Sequence, residues 1–273
     1  MIAFPNAKIN LGLFITEKRA DGFHSIETIF VPIPKLCDIL EIIPAPSQKA
    51  EMEFSQSGTE VVGDKNENLC VKAFNILKEH VELPKVAIHL HKQIPMGAGL
   101  GGGSADGAFT LELLNKMASK PLPESELAKL ALQLGSDCPF FLINKPCFGT
   151  GRGEIIEPID IKTENLYIAL VNPGIHVHTG RAYSQSNPQP APFNLRLLEN
   201  FPIEKWEKLV SNDFEKFVFP MHPEIKRVKE KLYELGAVYS SMSGSGSTVY
   251  GIFRNPPLIE GHFQENFVHV SKL

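Results

Sequence analysis

The densest run of residues able to do chemistry is Pro95-Met96-Gly97-Ala98-Gly99-Leu100-Gly101-Gly102-Gly103-Ser104. Glycine lacks a Cβ, so its backbone N–H groups can come close to a ligand. A series of such groups ending at a helix N-terminus favours an anion, most often phosphate. The flanking residues suit that use. Upstream, Lys85-Val86-Ala87-Ile88-His89-Leu90-His91 alternates apolar and polar residues and reads as a half-buried strand. Downstream, Ala105, Ala108, Leu111, Leu114 and Met117 recur at helical spacing, with Ser104 placed to cap the helix. A Walker loop would end in Gly-Lys-Ser/Thr, whereas this one ends in Gly-Gly-Ser. Gly97, Gly99 and Gly102 keep the spacing of a dinucleotide fingerprint. That fold, however, needs a second parallel strand, and here another helical pattern follows (Leu127, Leu130, Ala131, Leu134). The bland alternative is a tightly packed loop with no ligand. Strand, glycine loop and helix in succession favour the phosphate cradle.

Other polar residues are ambiguous taken singly. Lys8 lies in Ala7-Lys8-Ile9-Asn10-Leu11-Gly12-Leu13-Phe14-Ile15, an alternating strand in which Ile9, Leu11, Leu13 and Ile15 share one face. A lysine there is ordinarily a solvated charge. Asp137 follows the helix stop Gly135 and precedes Cys138-Pro139-Phe140-Phe141-Leu142. It reads either as a turn aspartate capping the next segment or as a carboxylate held at the edge of an apolar wall. His24 ends the turn Arg19-Ala20-Asp21-Gly22-Phe23-His24, where Asp-Gly is the reversal signal. On its own it is a turn histidine.

The elements that must position these residues are strands and hairpins first, then helices. Strands are expected over 25–31 and 38–43, with a polar, turn-rich connection from Pro44 to Gly58. Asn66-Glu67-Asn68 opens a helix through Leu77, and Pro121 to Leu134 forms another, stopped by Gly135. Phe148 to Gly153 reads as a connection near a lobe boundary. The second half holds a strand over 166–171, a short helix at Trp206–Val210, a firm one over Ile225–Leu235 and a strand over 248–253. Between the last two lies a small-residue loop, Ser240 to Ser247, set so tightly between helix and strand that a second approach to phosphate is expected.

The chain of 273 residues suggests two lobes, divided as 1–155 and 156–273. A net charge of −4 supplies no broad footprint for nucleic acid. No apolar run approaches a membrane span, and the N-terminus lacks the pattern of a secretion signal. Cys37, Cys70, Cys138 and Cys147 have no close pairing and read as reduced, mostly buried thiols of a cytoplasmic protein.

Three stretches in order, Pro5-Asn6-Ala7-Lys8-Ile9-Asn10-Leu11, Pro95 to Ser104 and Ser243-Gly244-Ser245-Gly246-Ser247, resemble the three motifs of the GHMP kinase superfamily. The likeness runs from residue 5 to about 253. It is closest to the branch whose alcohol substrate carries a cytidine diphosphate moiety, through residues 7–11, 19–24 and 134–139. The resemblance implies an α+β, two-lobe GHMP kinase fold, with a ribosomal-protein-S5-like N-terminal lobe, a ferredoxin-like C-terminal lobe and a cleft between them. It implies ATP bound by Pro95 to Ser104, with Asn68 and Asp106 on the adenine or phosphate side. It assigns catalysis to Lys8 and Asp137, the lysine favouring the ionised carboxylate that accepts a proton. Acceptor contacts fall to Asn10, Phe23, His24, Lys92, Thr179 and Tyr183, with Phe23 and Tyr183 sandwiching the base. Phe23 stands where a tyrosine is common. Mg²⁺ is implied with the ATP, held largely through phosphates and water with Ser104 as a candidate contact. No acidic metal ligand stands out.

Overall fold

A computed structural model describes residues 1–45, 50–59, 64–259 and 261–273. In chain order the described elements are strands β1 (Ile2–Ala3), β2 (Asn6–Lys18), β3 (His24–Cys37), β4 (Ile39–Pro44) and β5 (Met52–Gly58), then helix α1 (Leu69–Leu77), strand β6 (Val86–Lys92) and helices α2 (Gly102–Met117), α3 (Glu124–Leu134) and α4 (Cys138–Ile143). Strands β7 (Cys147–Thr150), β8 (Ile155–Pro158) and β9 (Tyr167–Asn172) follow, then helices α5 (Thr179–Ser184), α6 (Trp206–Leu209), α7 (Glu215–Met221) and α8 (Pro223–Glu234). The chain closes with β10 (Tyr239–Met242), β11 (Val249–Phe253) and β12 (Phe267–Lys272).

These elements form two compact units interleaved along the chain. The first holds residues 1–7, 36–96 and 101–144; the second holds 8–35, 97–100 and 145–273. A single chain boundary near residue 155 therefore does not separate them.

In the first unit a four-stranded sheet has the order β1-β4-β6-β5, with β4 antiparallel and β5 parallel to β6. Strand β6 carries the alternation expected of it: Val86, Ile88 and Leu90 are buried, and Ala87, His89 and His91 are half-buried. The same period puts Lys92 in the next inward slot. Helix α2 packs against α1, α3 and α4. Asn68 caps α1, its side-chain oxygen accepting the Cys70 N–H at 2.9 Å. Ser104 does not cap α2. That helix starts two residues earlier, after Gly101 at φ 71°, and Ser104 lies inside its first turn.

The second unit contains two four-stranded sheets, β2-β3-β7-β8 and β10-β11-β9-β12, the latter fully antiparallel. Leu13, Ile15 and Ile26 from the first sheet meet Ala169, Val171 and Val249 from the second in one core, closed by Phe214 and Val218 near and on α7 and by Ile225, Val228 and Leu232 on α8.

Several expectations are corrected. The stretch 44–58 is not all connection: β5 occupies 52–58, an edge strand paired along one side only, whose Ser and Gln residues blur the alternation; the expected connection's residues 46–49 lie outside the described residues. Residues 147–150 are a strand, not a linker, and Ser240 to Met242 belong to β10, so the small-residue loop is shorter than it reads. Helices α5 and α7 and strand β12 had no clear sequence signal. Lys8 is not solvated. It is 4% exposed because β2 is buried on both faces from Asn6 to Ile15.

Gly149 explains why β7 is hard to read. A Cβ there would lie 2.6 Å from Phe30 Cε2 on the neighbouring strand β3, so the position excludes a side chain although it sits in a sheet. Gly149→Ala is expected to overpack this ring and lower stability by about 1–3 kcal/mol in a denaturant titration.

Candidate active site

Three separate stretches meet around the loop residues Gly97 to Leu100 in the second unit. Lys8 N–H donates to Leu100 O at 2.9 Å, Thr248 N–H to Ala98 O at 3.2 Å, and Ser243 Oγ to Gly99 O at 2.8 Å. Gly97, Gly99 and Gly101 all take left-handed φ, and Ala98 and Leu100 between them are buried. The closest approach is at Gly99, where a Cβ would fall 2.1 Å from Ser243 O. The small residues of both loops therefore serve a main-chain contact that side chains would prevent.

Asn10 is the hinge pin of this group. Its N–H donates to Ser243 Oγ at 3.2 Å and its carbonyl accepts from the Tyr250 hydroxyl at 2.9 Å. Its side-chain oxygen accepts from Lys8 Nζ at 2.6 Å, and its amide nitrogen donates to Thr28 Oγ1 at 3.0 Å. Both ends of the Asn10 amide are thus engaged within the protein, and it orients the Lys8 ammonium. That ammonium also lies 5.4 Å from the centre of the Phe30 ring. Asn212 supports the third stretch from behind, donating to Met242 O at 2.7 Å and Gly244 O at 2.8 Å. Nothing in the sequence around Asn212 announces this, because the partners lie 30 and 32 residues away.

In the first unit, Lys92 Nζ is clamped between Asp38 Oδ2 and, at 2.6 Å, Asp106 Oδ2. Asp38 Oδ1 also accepts the N–H groups of Gln93, at 2.6 Å, and Ile94, at 2.9 Å. Lys92 is 2% exposed. Burial works against its charge, but Asp106 and Asp38 outweigh that and hold it above the ordinary lysine range. Burial pushes Asp106 well above the ordinary carboxylate range, despite the opposing pull of Lys92. Asp106 Oδ1 is buried with no hydrogen-bond partner among the described residues. Lys92 and Asp106 line a cavity of about 410 Å³ together with Asn68, Gln56, Met96 and Gly103. Lys92, expected on the acceptor side, thus shares its surroundings with the residues expected on the nucleotide side. Asp38 escaped the sequence reading. The available signal was the inward register of Lys92, since a lysine in a core slot requires acidic partners.

Asp137 precedes α4 and is half-buried, and its carboxylate makes no cap hydrogen bond to that helix. Helix α4 packs against α2. Burial, foremost, pushes the Cys138 thiol up to about 12, so it is a packing group.

The residues expected at the base lie in the second unit. Phe23 is 52% exposed at the tip of the β2–β3 turn, which Asp21 fixes by accepting the Phe23 N–H at 3.1 Å. His24 stacks on Tyr183, with ring centres 5.0 Å apart and planes 17° apart, and Tyr183 meets Phe214 edge-on at 4.8 Å. Burial, then the nearby Lys18, holds His24 below the ordinary imidazole range, so it is neutral at pH 7. Thr179 Oγ1 lies 2.8 Å from Ser245 Oγ, which joins α5 to the third motif. The structure thus brings Phe23 and His24 into one turn and stacks His24 on Tyr183.

This fold is that of the GHMP kinases. The family models "GHMP kinases N terminal domain" and "GHMP kinases C terminal" match residues 68–145 and 195–264. The Methanococcus jannaschii mevalonate kinase shares the fold at a TM-score of 0.67 and 14% identity, covering 100% of this chain and 98% of that one. A 4-diphosphocytidyl-2-C-methyl-D-erythritol kinase of Azobacteroides pseudotrichonymphae is 50% identical over 94% of each chain, and one of Bacteroides fragilis is 48% identical over 93% of this chain and 92% of its own. The crystal structure of a 4-(cytidine 5'-diphospho)-2C-methyl-D-erythritol kinase has a TM-score of 0.80 at 32% identity, covering 94% of this chain and 91% of that one. The chain belongs to the 4-diphosphocytidyl-2-C-methyl-D-erythritol kinase family, phosphotransferases with an alcohol acceptor.

Gly99→Ala is expected to push Ser243 away, opening the loop. The KM for ATP should rise at least tenfold in steady-state assays, with a smaller change in melting temperature.

Proposed function

We propose that the chain transfers the γ-phosphoryl group of ATP to the 2-hydroxyl of 4-diphosphocytidyl-2-C-methyl-D-erythritol, a step of the non-mevalonate route to isoprenoid precursors. The observation that carries this reading is the convergence of the Lys8–Asn10 strand, the glycine loop and the Ser243–Thr248 loop through hydrogen bonds of 2.8–3.2 Å. Phosphoryl transfer needs positioning and charge neutralisation more than covalent help from the protein. Main-chain N–H groups from Gly97 to Gly103 hold the phosphates, and Pro95, Met96 and Ser104 complete the loop. Asn68, Asp106 and Lys92 belong to the nucleotide side, where the unpartnered Asp106 Oδ1 fits a donor on the ligand.

Asp137 takes the proton of the acceptor alcohol as its oxygen bonds to the γ-phosphorus. The bond from that phosphorus to the β–γ bridging oxygen breaks, and ADP leaves. Lys8, oriented by Asn10, neutralises charge on the transferring oxygens. Phe23 stacks on the cytosine, neutral His24 reads its hydrogen-bonding edge, and Tyr183 and Thr179 complete the acceptor side. Mg²⁺ enters with the ATP as part of the nucleotide substrate and shields phosphate charge; among the described residues, no group of three or more His, Cys, Asp or Glu could hold a metal by itself. No described helix is long and apolar enough to cross a membrane, and we place the enzyme in the cytoplasm, acting on a small molecule.

An alternative acceptor such as mevalonate, homoserine or galactose has no base to stack. The exposed Phe23 and the His24–Tyr183 pair favour the cytidyl alcohol. An ADP-release assay offering all four alcohols should show turnover with the cytidyl substrate, and a preference for another would overturn the reading. Asp137→Asn should bind both substrates near normally yet lose at least a hundredfold in kcat; unchanged turnover would remove Asp137 from the base role. Because His24 is neutral at pH 7 and its proton affinity is lowered, the KM for the cytidyl substrate should stay level from neutral pH upward. It should rise on acidification below the ordinary imidazole range, and in His24→Gln that rise should disappear.

A further inference from the structure

Phe23 is a large apolar ring standing more than half exposed at a turn tip. Such a ring would ordinarily sample several orientations and lose that freedom on binding. Here one face is covered. The Arg152 guanidinium lies over the ring, 4.6 Å from its centre. Arg152 comes from the β7–β8 turn, which is itself fixed. Glu154 accepts the Arg152 backbone N–H, and its other oxygen lies 3.6 Å from Arg152 Nε. Ile26 N–H donates to Gly151 O at 2.7 Å, tying this turn to β3 just beyond Phe23 and His24. On the other side, Arg19 N–H donates to Phe23 O at 2.9 Å, and the Arg19 guanidinium pairs with Asp21, which holds the Phe23 N–H. Two hairpin turns are thereby joined through one cation–ring contact.

We propose that Arg152 is a positioning residue for acceptor specificity: stacked on Phe23, it fixes the ring as a platform whose remaining face receives the nucleobase. The inference rests on the reading of Phe23 as the base platform. A guanidinium suits the role because its planar, weakly hydrated cation stacks on an aromatic face. Phe23 lacks a phenolic hydroxyl that could anchor the ring by hydrogen bonding, and Arg152 supplies the anchor instead.

The test is steady-state kinetics on the full chain with Phe23→Ala, Arg152→Ala, Arg152→Lys and the Phe23→Ala/Arg152→Ala double variant, with melting temperatures alongside. Arg152→Ala is expected to raise the KM for the cytidyl substrate about fivefold, leaving kcat and the KM for ATP unchanged. Arg152→Lys, which keeps a cation over the ring, should recover part of that loss. The double variant should be no worse than Phe23→Ala alone, because Arg152 acts through the ring. An unchanged KM in Arg152→Ala beside a raised KM in Phe23→Ala overturns the role of Arg152 and leaves the platform standing. Unchanged KM in both overturns the platform itself. A double variant whose KM rises by the product of the two single effects, or a change in kcat or in the KM for ATP, also overturns the proposal.

Discussion

The site depends on how closely two loop main chains approach each other at Gly99 and Ser243. With only 2.1 Å between Ser243 O and the place a Cβ would occupy, the contact exists because residue 99 is glycine. It fixes more than loop against loop. Ser243 Oγ donates to Gly99 O and accepts the Asn10 N–H, so one hydroxyl links the loops to β2. Asn10 passes that constraint on through its side chain to the Lys8 ammonium. The position of the lysine thus follows from a chain of hydrogen bonds that starts at a missing methyl group. Preorganisation of this kind costs nothing at the moment of phosphoryl transfer, because the dipoles are already in place.

The first unit applies different physics to the same loop's upstream end. An ammonium and two carboxyl groups are almost wholly buried there, which costs several kcal/mol per ion unless each is well paired. Asp38 meets that condition with two backbone N–H groups as well as Lys92. The result fastens Gln93 and Ile94, the residues leading into Pro95, to the start of β4 and through Lys92 to α2. A hydrophobic triad of similar volume could fill the space equally well, but it could not accept those N–H groups. Asp106 is the less satisfied member, with one oxygen unpartnered beside the cavity. The polar choice at Asp106 therefore points toward a ligand, whereas at Asp38 it is explained by the chain itself.

Much of this was legible in the sequence, and the boundary of legibility has physical causes. Local patterns carried the β6–loop–α2 succession, the opening of α1 after Asn66-Glu67-Asn68 and α8, because each depends on neighbours within a turn or a strand. The three motifs could be recognised in order, but their contact could not be read from spacing, since Asn10 and Ser243 are 233 residues apart. Ser104 was misread as a cap because glycines seldom begin a helix on propensity alone; here Gly102 is admitted by close packing, its Cβ position lying 2.9 Å from Ile94. The strand β7 was hidden by a glycine that packing demands and propensity disfavours. Asp38 and Asn212 are ordinary polar residues until their distant partners are known. Lys92 was the missed opportunity, since its place in the inward register of β6 already called for buried acids.

The nucleotide and acceptor sides differ in how they obtain specificity. In the proposed reading phosphates would be held by main-chain geometry, which tolerates change in side chains provided they stay small. In the proposed reading a base would be met by ring faces and edges, from residues at or beside turns: Phe23 after Asp21-Gly22, His24 at the first position of β3, and Arg152 within Gly151-Arg152-Gly153. Each of these rings has a partner that limits its motion: His24 on Tyr183, Tyr183 on Phe214, and Arg152 on Phe23. Stacking limits the orientation of a ring without using the hydrogen-bonding edge of His24. That edge remains available to distinguish one base from another, which a face alone cannot do because every base presents one. The phenylalanine at position 23 fits the same proposed division, offering a face and no competing hydroxyl while the adjacent histidine would supply the hydrogen-bonding discrimination.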